Sequence, residues 1–268
     1  MKGRAAVAGL YFACTAAAAS GAGITLVASP DDAPFADPDW PGRGMVTEII
    51  ETALSNAPDP LPFDILWESD RAAGAARVAR AQTDMGFAWA RPDCDGQQHD
   101  NEHCRTYHFS DALAQVVVLL FTRTDRQFDF EKDADLHGRV LCRPAGLFTH
   151  DLERPDRRWL SRDLITLKQP PRAADCFEML MDGAVDAVAL DEFRGVNELF
   201  REDLTESVVP LPRPLSEQSL HVVISRSHWR ATAHLYRLNA GLARLRESGR
   251  YAGIIERHLG LYWDEIRQ

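Results

Sequence analysis

The sequence predicts an α/β protein, and three observations carry that expectation. Strand-like and helix-like patterns alternate from Ile24 to Trp89, the signature of a parallel sheet with covering helices. Further short apolar runs and one more amphipathic stretch follow between Arg139 and Leu190. The chain of 268 residues has room for two modest lobes or one large domain.

Ile24 to Ala28 reads as a buried strand, followed by the turn-rich Ser29-Pro30-Asp31-Asp32-Ala33-Pro34-Phe35. Val46, Ile49, Ile50, Ala53 and Leu54 recur at helical spacing from a start near Gly44, and Pro58 to Pro62 stops that helix. Phe63 to Trp67 is a second strand, Arg71 to Ala81 a second helix, and Met85 to Trp89 a third strand. Right-handed crossovers then leave few topologies. After a polar loop, Pro92 to His108, the segment Ala112 to Thr122 is almost continuously apolar. It is too short for a membrane helix and too β-branched for a comfortable soluble one, so a buried strand is expected.

Arg139 to Cys142 is a strand, and Pro144-Ala145-Gly146 a turn opening onto Leu147 to Leu152. Phe177, Leu180 and Met181 mark a helix face ended by Gly183, and Ala184 to Leu190 is the next strand. Leu220 to Ile224 forms a late strand. Leu235, Leu238, Leu242 and Leu245 lie on one stripe of a closing helix that stops at Gly249, and a last short helix carries Ile254, Ile255 and Leu259. No internal repeat at a solenoid period is present.

Composition excludes several classes of function. A formal net charge of −10 and no long basic run argue against nucleic acid. Such an acidic chain is expected to stay dispersed and monomeric. At the start, Lys2 and Arg4 precede the small, apolar run Ala5 to Ala19. Small-residue cleavage sites at Ala17-Ala18-Ala19 and Ser20-Gly21-Ala22 complete a secretory signal peptide over residues 1–22, which implies periplasmic export. Bulky Tyr11 and Phe12 ahead of Cys14 fit a lipoprotein site poorly.

Four cysteines then remain, an even number in a chain bound for an oxidising compartment. Of the three possible pairings, Cys94–Cys104 and Cys142–Cys176 are favoured because each stays within one proposed lobe. The rival is a zinc site using His99, His103 and His108, but no CxxC or HExxH spacing supports it. No metal or cofactor is expected.

Two phrases carry a resemblance. Asp182-Gly183-Ala184-Val185-Asp186-Ala187-Val188-Ala189-Leu190-Asp191-Glu192 resembles the "G-x-V-D-A-x-x-x-D" strand of bacterial periplasmic solute-binding proteins, the polar amino acid (family 3) type of ABC importers. Leu238 to Tyr251 resembles that family's closing helix and its "sGxY" exit. The resemblance implies the two-lobed type II periplasmic-binding-protein fold, each lobe a mostly parallel sheet flanked by helices. Two hinge strands would join a discontinuous first lobe, residues 23–115 and 224–268, to a second, residues 116–223. It implies capture of a small polar ligand between the lobes and delivery to an ABC permease.

A zwitterion needs a cation for its carboxylate, an anion for its amine and apolar walls against water. By the resemblance, Asp191 faces the amine; the plainer reading is that it caps a following helix. The carboxylate anchor is Arg91 or Arg105. The family's arginine lies just before an "F-S-D/E-P" phrase, here Phe109-Ser110-Asp111-Ala112, and the Cys94–Cys104 loop separates the two candidates. Phe35, closing a "P-P-F"-like turn, and Trp67 and Trp89, at strand ends, supply the walls. Gly146 stands where the family has a glycine followed by Ser or Thr, and Thr149 is the substitute hydroxyl at the next turn.

Two other classes remain open. One is a dehydratase-like enzyme on the same scaffold, with Glu192, His150 and Glu68 as candidate acids and bases. No nucleophile elbow, Walker loop or HExxH accompanies them. The other is a sensory or accessory binding protein.

Overall fold

The computed structural model describes residues 23–96 and 98–266. The expected leader at residues 1–22, with Cys14, lies outside them.

Strand β1 (Ile24–Ala28) pairs in parallel with both β2 (Phe63–Trp67) and β3 (Met85–Ala90). Helices α1 (Met45–Ser55) and α2 (Arg71–Ala79) make the crossovers. The stripe foreseen in α1 is fully buried: Val46, Ile49, Ile50, Ala53 and Leu54 show no exposed surface. Asp70 starts α2, its Oδ1 accepting the amides of Ala72 at 2.9 Å and Ala73 at 3.1 Å.

The polar loop contains a short helix α3 (Glu102–Thr106) and strand β4 (Tyr107–Phe109). The apolar run becomes the ten-residue strand β5 (Ala114–Arg123). Then follow β6 (Val140–Cys142), β7 (Thr166–Lys168), α4 (Ala173–Met181), β8 (Ala187–Asp191), α5 (Glu192–Arg201) and β9 (Val208–Pro210). The chain closes with β10 (Ser216–Ser225), α6 (Ala231–Glu247) and α7 (Arg250–Ile266). Gly183, at φ 75°, supplies the left-handed residue just after α4.

All strands join one curled sheet in the order β2-β1-β3-β10-β5-β8-β6-β7, with β4 on β10 and β9 on β5. The two long strands explain its division. They pair with each other only from Ala114 with Leu220 to Val118 with Ser216. The rest of β10 pairs with β3 and β4, whereas the rest of β5 pairs with β8 and β9. Each long strand therefore has one end in each lobe. One core gathers α1, α6 and α7 over the first lobe, and two smaller ones cover the faces of the second.

Both favoured disulfides are present, Cys94–Cys104 and Cys142–Cys176. The second ties β6 to α4 in the middle of the second lobe. Among the described residues, no helix is long and apolar enough to cross a membrane.

Residues 143–165 form turns and no helix. They are organised by a buried ion pair, Arg143 with Asp151 (Nη1–Oδ1 2.7 Å, Nη2–Oδ2 3.0 Å), and by Trp159, which is 1% exposed.

Candidate functional site

Parallel strands open a crevice beyond their carboxyl ends, and a cavity of mostly apolar lining lies there. It holds about 420 Å³. The first lobe contributes the end of β1 (Val27, Ala28, Ser29), Glu68 after β2, the start of α2 at Arg71, and the end of β3 at Ala88 and Trp89. The second contributes Gly146 to His150, Glu153 and Arg194 of α5.

Local backbone geometry shapes both walls. Opposite β10, the strand β3 carries one extra residue, since His221 pairs with Trp89 while Val223 pairs with Gly86. Ala88 sits in this bulge at φ 62°, and the broken alternation lets Ala88, Trp89 and Ala90 all line the cavity. On the other wall, Gly146 has φ 80°. A Cβ there would come within 2.8 Å of the Arg71 side chain, so only glycine lets the second lobe approach this closely.

The charges are unevenly satisfied. Arg71 is partly buried on the cavity wall and makes no hydrogen bond or ion pair with any described residue. Burial holds its guanidinium below the ordinary arginine value, against the opposing charge of Asp32 and with the smaller help of nearby Arg194. Arg194, by contrast, is fully engaged. Its Nε and Nη2 donate to Asp32 at 2.5 Å each, and its Nη1 donates to Asp191 at 2.7 Å. Burial alone lowers Arg194, but the two aspartates outweigh it and raise the guanidinium above its usual value. His150 Nε2 lies 2.9 Å from Gln218 Oε1, and burial keeps the imidazole below its ordinary value. The hydroxyls of Ser29 and Thr149 line the cavity without a hydrogen-bond partner among the described residues.

Of the eight residues expected at the site, Trp89, Gly146 and Thr149 line this cavity. The other five lie elsewhere. Phe35 is wholly buried, its ring edge-on to Phe193 at 5.4 Å. Trp67 packs on the first-lobe core beside Phe87. Arg91 pairs with Asp95 at 2.7 Å and faces two other, polar depressions. Arg105 is exposed on α3. Asp191 is the N-cap of α5, its Oδ1 accepting the Arg194 amide at 3.0 Å. Of the candidate acids and bases, Glu68 and His150 line the cavity and Glu192 does not.

Sequence reasoning missed Arg71 and Arg194. A signal for Arg71 existed: it opens a helix directly after a strand end, the position that faces the crevice in open α/β sheets. Arg194 carried no comparable mark.

No protein-family model matches the chain, and no curated protein matches its sequence. Solved structures do match its shape. A histidine kinase sensor domain with similarity to periplasmic binding proteins is 19% identical, with 89% of this chain and 96% of that one covered and a TM-score of 0.70. A mutant of ArgBP from T. maritima is 20% identical over 88% of this chain and 95% of that one, at a TM-score of 0.67. The substrate-binding protein of an amino acid ABC transporter is 17% identical over 88% and 98%, at 0.66. The fold is that of the type II periplasmic binding proteins. At these identities the likeness fixes the architecture of this chain, with its two lobes and the cleft between them.

Proposed function

We propose that this chain is an extracytoplasmic solute-binding protein of the polar amino acid type, exported to the periplasm and working for an ABC permease. Its task is to capture a small polar, carboxylate-bearing solute between the lobes, release it unchanged, and use no cofactor. The observation that carries this reading is the cleft itself. A cavity of about 420 Å³ is walled by both lobes and lined by a guanidinium with no hydrogen bond or ion pair among the described residues. A charge-assisted fork of this kind is the strong way to hold a carboxylate in a partly dry site. The proposed lobes, residues 23–115 with 224–268 and residues 116–223, turn about β5 and β10, so closure on the solute is a hinge motion.

The likeness to a kinase sensor domain favours one second reading, in which the closed shape is read by a receptor instead of a permease. Solute capture is common to both.

The test uses the full chain exported to a bacterial periplasm. Native mass spectrometry of the purified protein should show a co-purifying small solute. After unfolding and refolding to remove it, a panel of amino acids and small carboxylates should contain members that raise the melting temperature. A ligand at a hundred times its Kd adds about 2.7 kcal/mol of stability. If no solute travels with the protein and none of the panel shifts the melt, the capture reading is wrong.

A further inference from the structure

We infer that the cleft is built for a small monocarboxylate with an apolar body and no ammonium group. This rests on the capture reading above and narrows it to a class of solute.

An α-amino acid presents both charges, so its site needs a free cation and a free anion on the wall. The free cation is present: Arg71 lines the cavity with no ion pair and no hydrogen bond among the described residues. Among the described residues, no carboxylate on the cavity wall is without a partner. Asp32 and Asp191, the two buried acids of this region, lie behind Arg194 and off the cavity wall. Arg194 donates three charged hydrogen bonds, two to Asp32 at 2.5 Å and one to Asp191 at 2.7 Å, which engage all three of its guanidinium nitrogens. Where an ammonium-binding carboxylate would be required, the wall presents the outer face of an arginine.

The two carboxylates that do reach the cavity are engaged. Glu68 accepts the Asp70 amide at 3.3 Å and pairs with Arg77 at 3.5 Å. Glu153 Oε1 accepts the amides of Leu160 at 2.6 Å and Ser161 at 2.9 Å. An ammonium brought here would have to share carboxylates that already hold other donors, whereas a carboxylate on Arg71 meets a guanidinium with no hydrogen bond or ion pair among the described residues. The rest of the wall is apolar. Trp89, Leu147, Phe148 and Leu220 offer faces to a hydrocarbon or aromatic body, and the partnerless Ser29 and Thr149 hydroxyls stand ready for the second carboxylate oxygen.

The experiment compares matched pairs that differ only in the α-ammonium group: hydrocinnamate with L-phenylalanine, isocaproate with L-leucine, and propionate with L-alanine. Each is titrated calorimetrically into the refolded full chain near neutral pH. In every pair that binds, the acid without the ammonium should bind about tenfold or more tightly. Arg71→Gln should weaken that binding about tenfold or more, and Arg71→Lys should restore part of it. The ligand-free melting temperature of both variants should stay close to the parent's, since Arg71 has no hydrogen bond or ion pair to lose among the described residues. Equal or tighter binding of the amino acids, or affinity indifferent to Arg71→Gln, would overturn the inference and leave solute capture standing. So would failure of all three pairs while another member of the wider panel binds. If that panel also fails, capture itself falls, and this inference with it.

Discussion

Asp84 is the point on which three distant parts of the chain converge. Its Oδ2 accepts both the amide and the hydroxyl of Thr25 at 2.7 Å, and its Oδ1 lies 2.9 Å from His228 Nε2 and 3.6 Å from His234 Nε2. Asp84, His228 and His234 are also the one metal-capable cluster among the described residues. The other ring nitrogens oppose that use. His228 Nδ1 accepts the Arg230 amide and His234 Nδ1 accepts from Arg237, so each ring carries its proton on Nε2, aimed at the carboxylate. Burial alone raises Asp84, but the bonds from His234 and Thr25 prevail and hold it well below the usual carboxylate range. A folded-state value below the unfolded one stabilises fully above about pH 4 and is lost as pH falls toward the folded value. Asp84→Asn should therefore cost about 1–2 kcal/mol at neutral pH, with the difference shrinking in acid. Urea denaturation across the pH range checks this; a constant difference would disprove the linkage.

At the scale of elements, the segment from residue 143 to 165 shows where pattern reading stops. Strand β8 was legible because both its faces are buried, which writes a continuous apolar run into the sequence. Strands β6 and β7, three residues each, are too short to write a period, and only the first showed as an apolar run. The turns between them have no period at all and depend on Arg143, which is 1% exposed, meeting Asp151 at 0%. Burial works to raise Asp151, and the Arg143 guanidinium, aided by the Ser216 hydroxyl at 2.9 Å, brings the carboxyl below its usual range. Arg143→Ala should cost about 3–5 kcal/mol in chemical denaturation, because it leaves a buried charge unpaired. Replacing both residues with leucine should recover much of that loss. Equal costs for the single and double variants would show that the segment stands on other contacts.

For the molecule as a whole, closure has a physical source within the chain. Asp32 belongs to the first lobe, and it meets Arg194 of the second in a buried, two-pronged pair. Next to it, the side chain of Phe193 in α5 packs into the first-lobe core, and the Tyr262 hydroxyl of α7 donates to the Phe193 carbonyl at 2.9 Å. Contacts within the chain thus tie the two lobes together. Asp32→Asn should open the ligand-free protein, seen as a larger radius of gyration in small-angle scattering, while Tyr262→Phe should open it less. Superimposable curves for Asp32→Asn and the parent would mean that this contact does not keep the lobes together.

Local rules reach a definite distance in this chain. The sequence determined the alternating strands and helices of the first lobe, the closing helices and the burial of β5 and β10, because each follows from periodicity or turn chemistry within a short window; of the disulfides it determined only that four cysteines could pair, and the fold chose the partners. Tertiary structure alone decided which charges face the cleft. Asp191 and Arg194 are three residues apart and look like an ordinary helix start, and nothing local reveals that Asp32, 162 positions away from Arg194, completes their ion pair. Arg71 is open to a ligand for the same reason, since the acids that would otherwise neutralise it are claimed by another arginine.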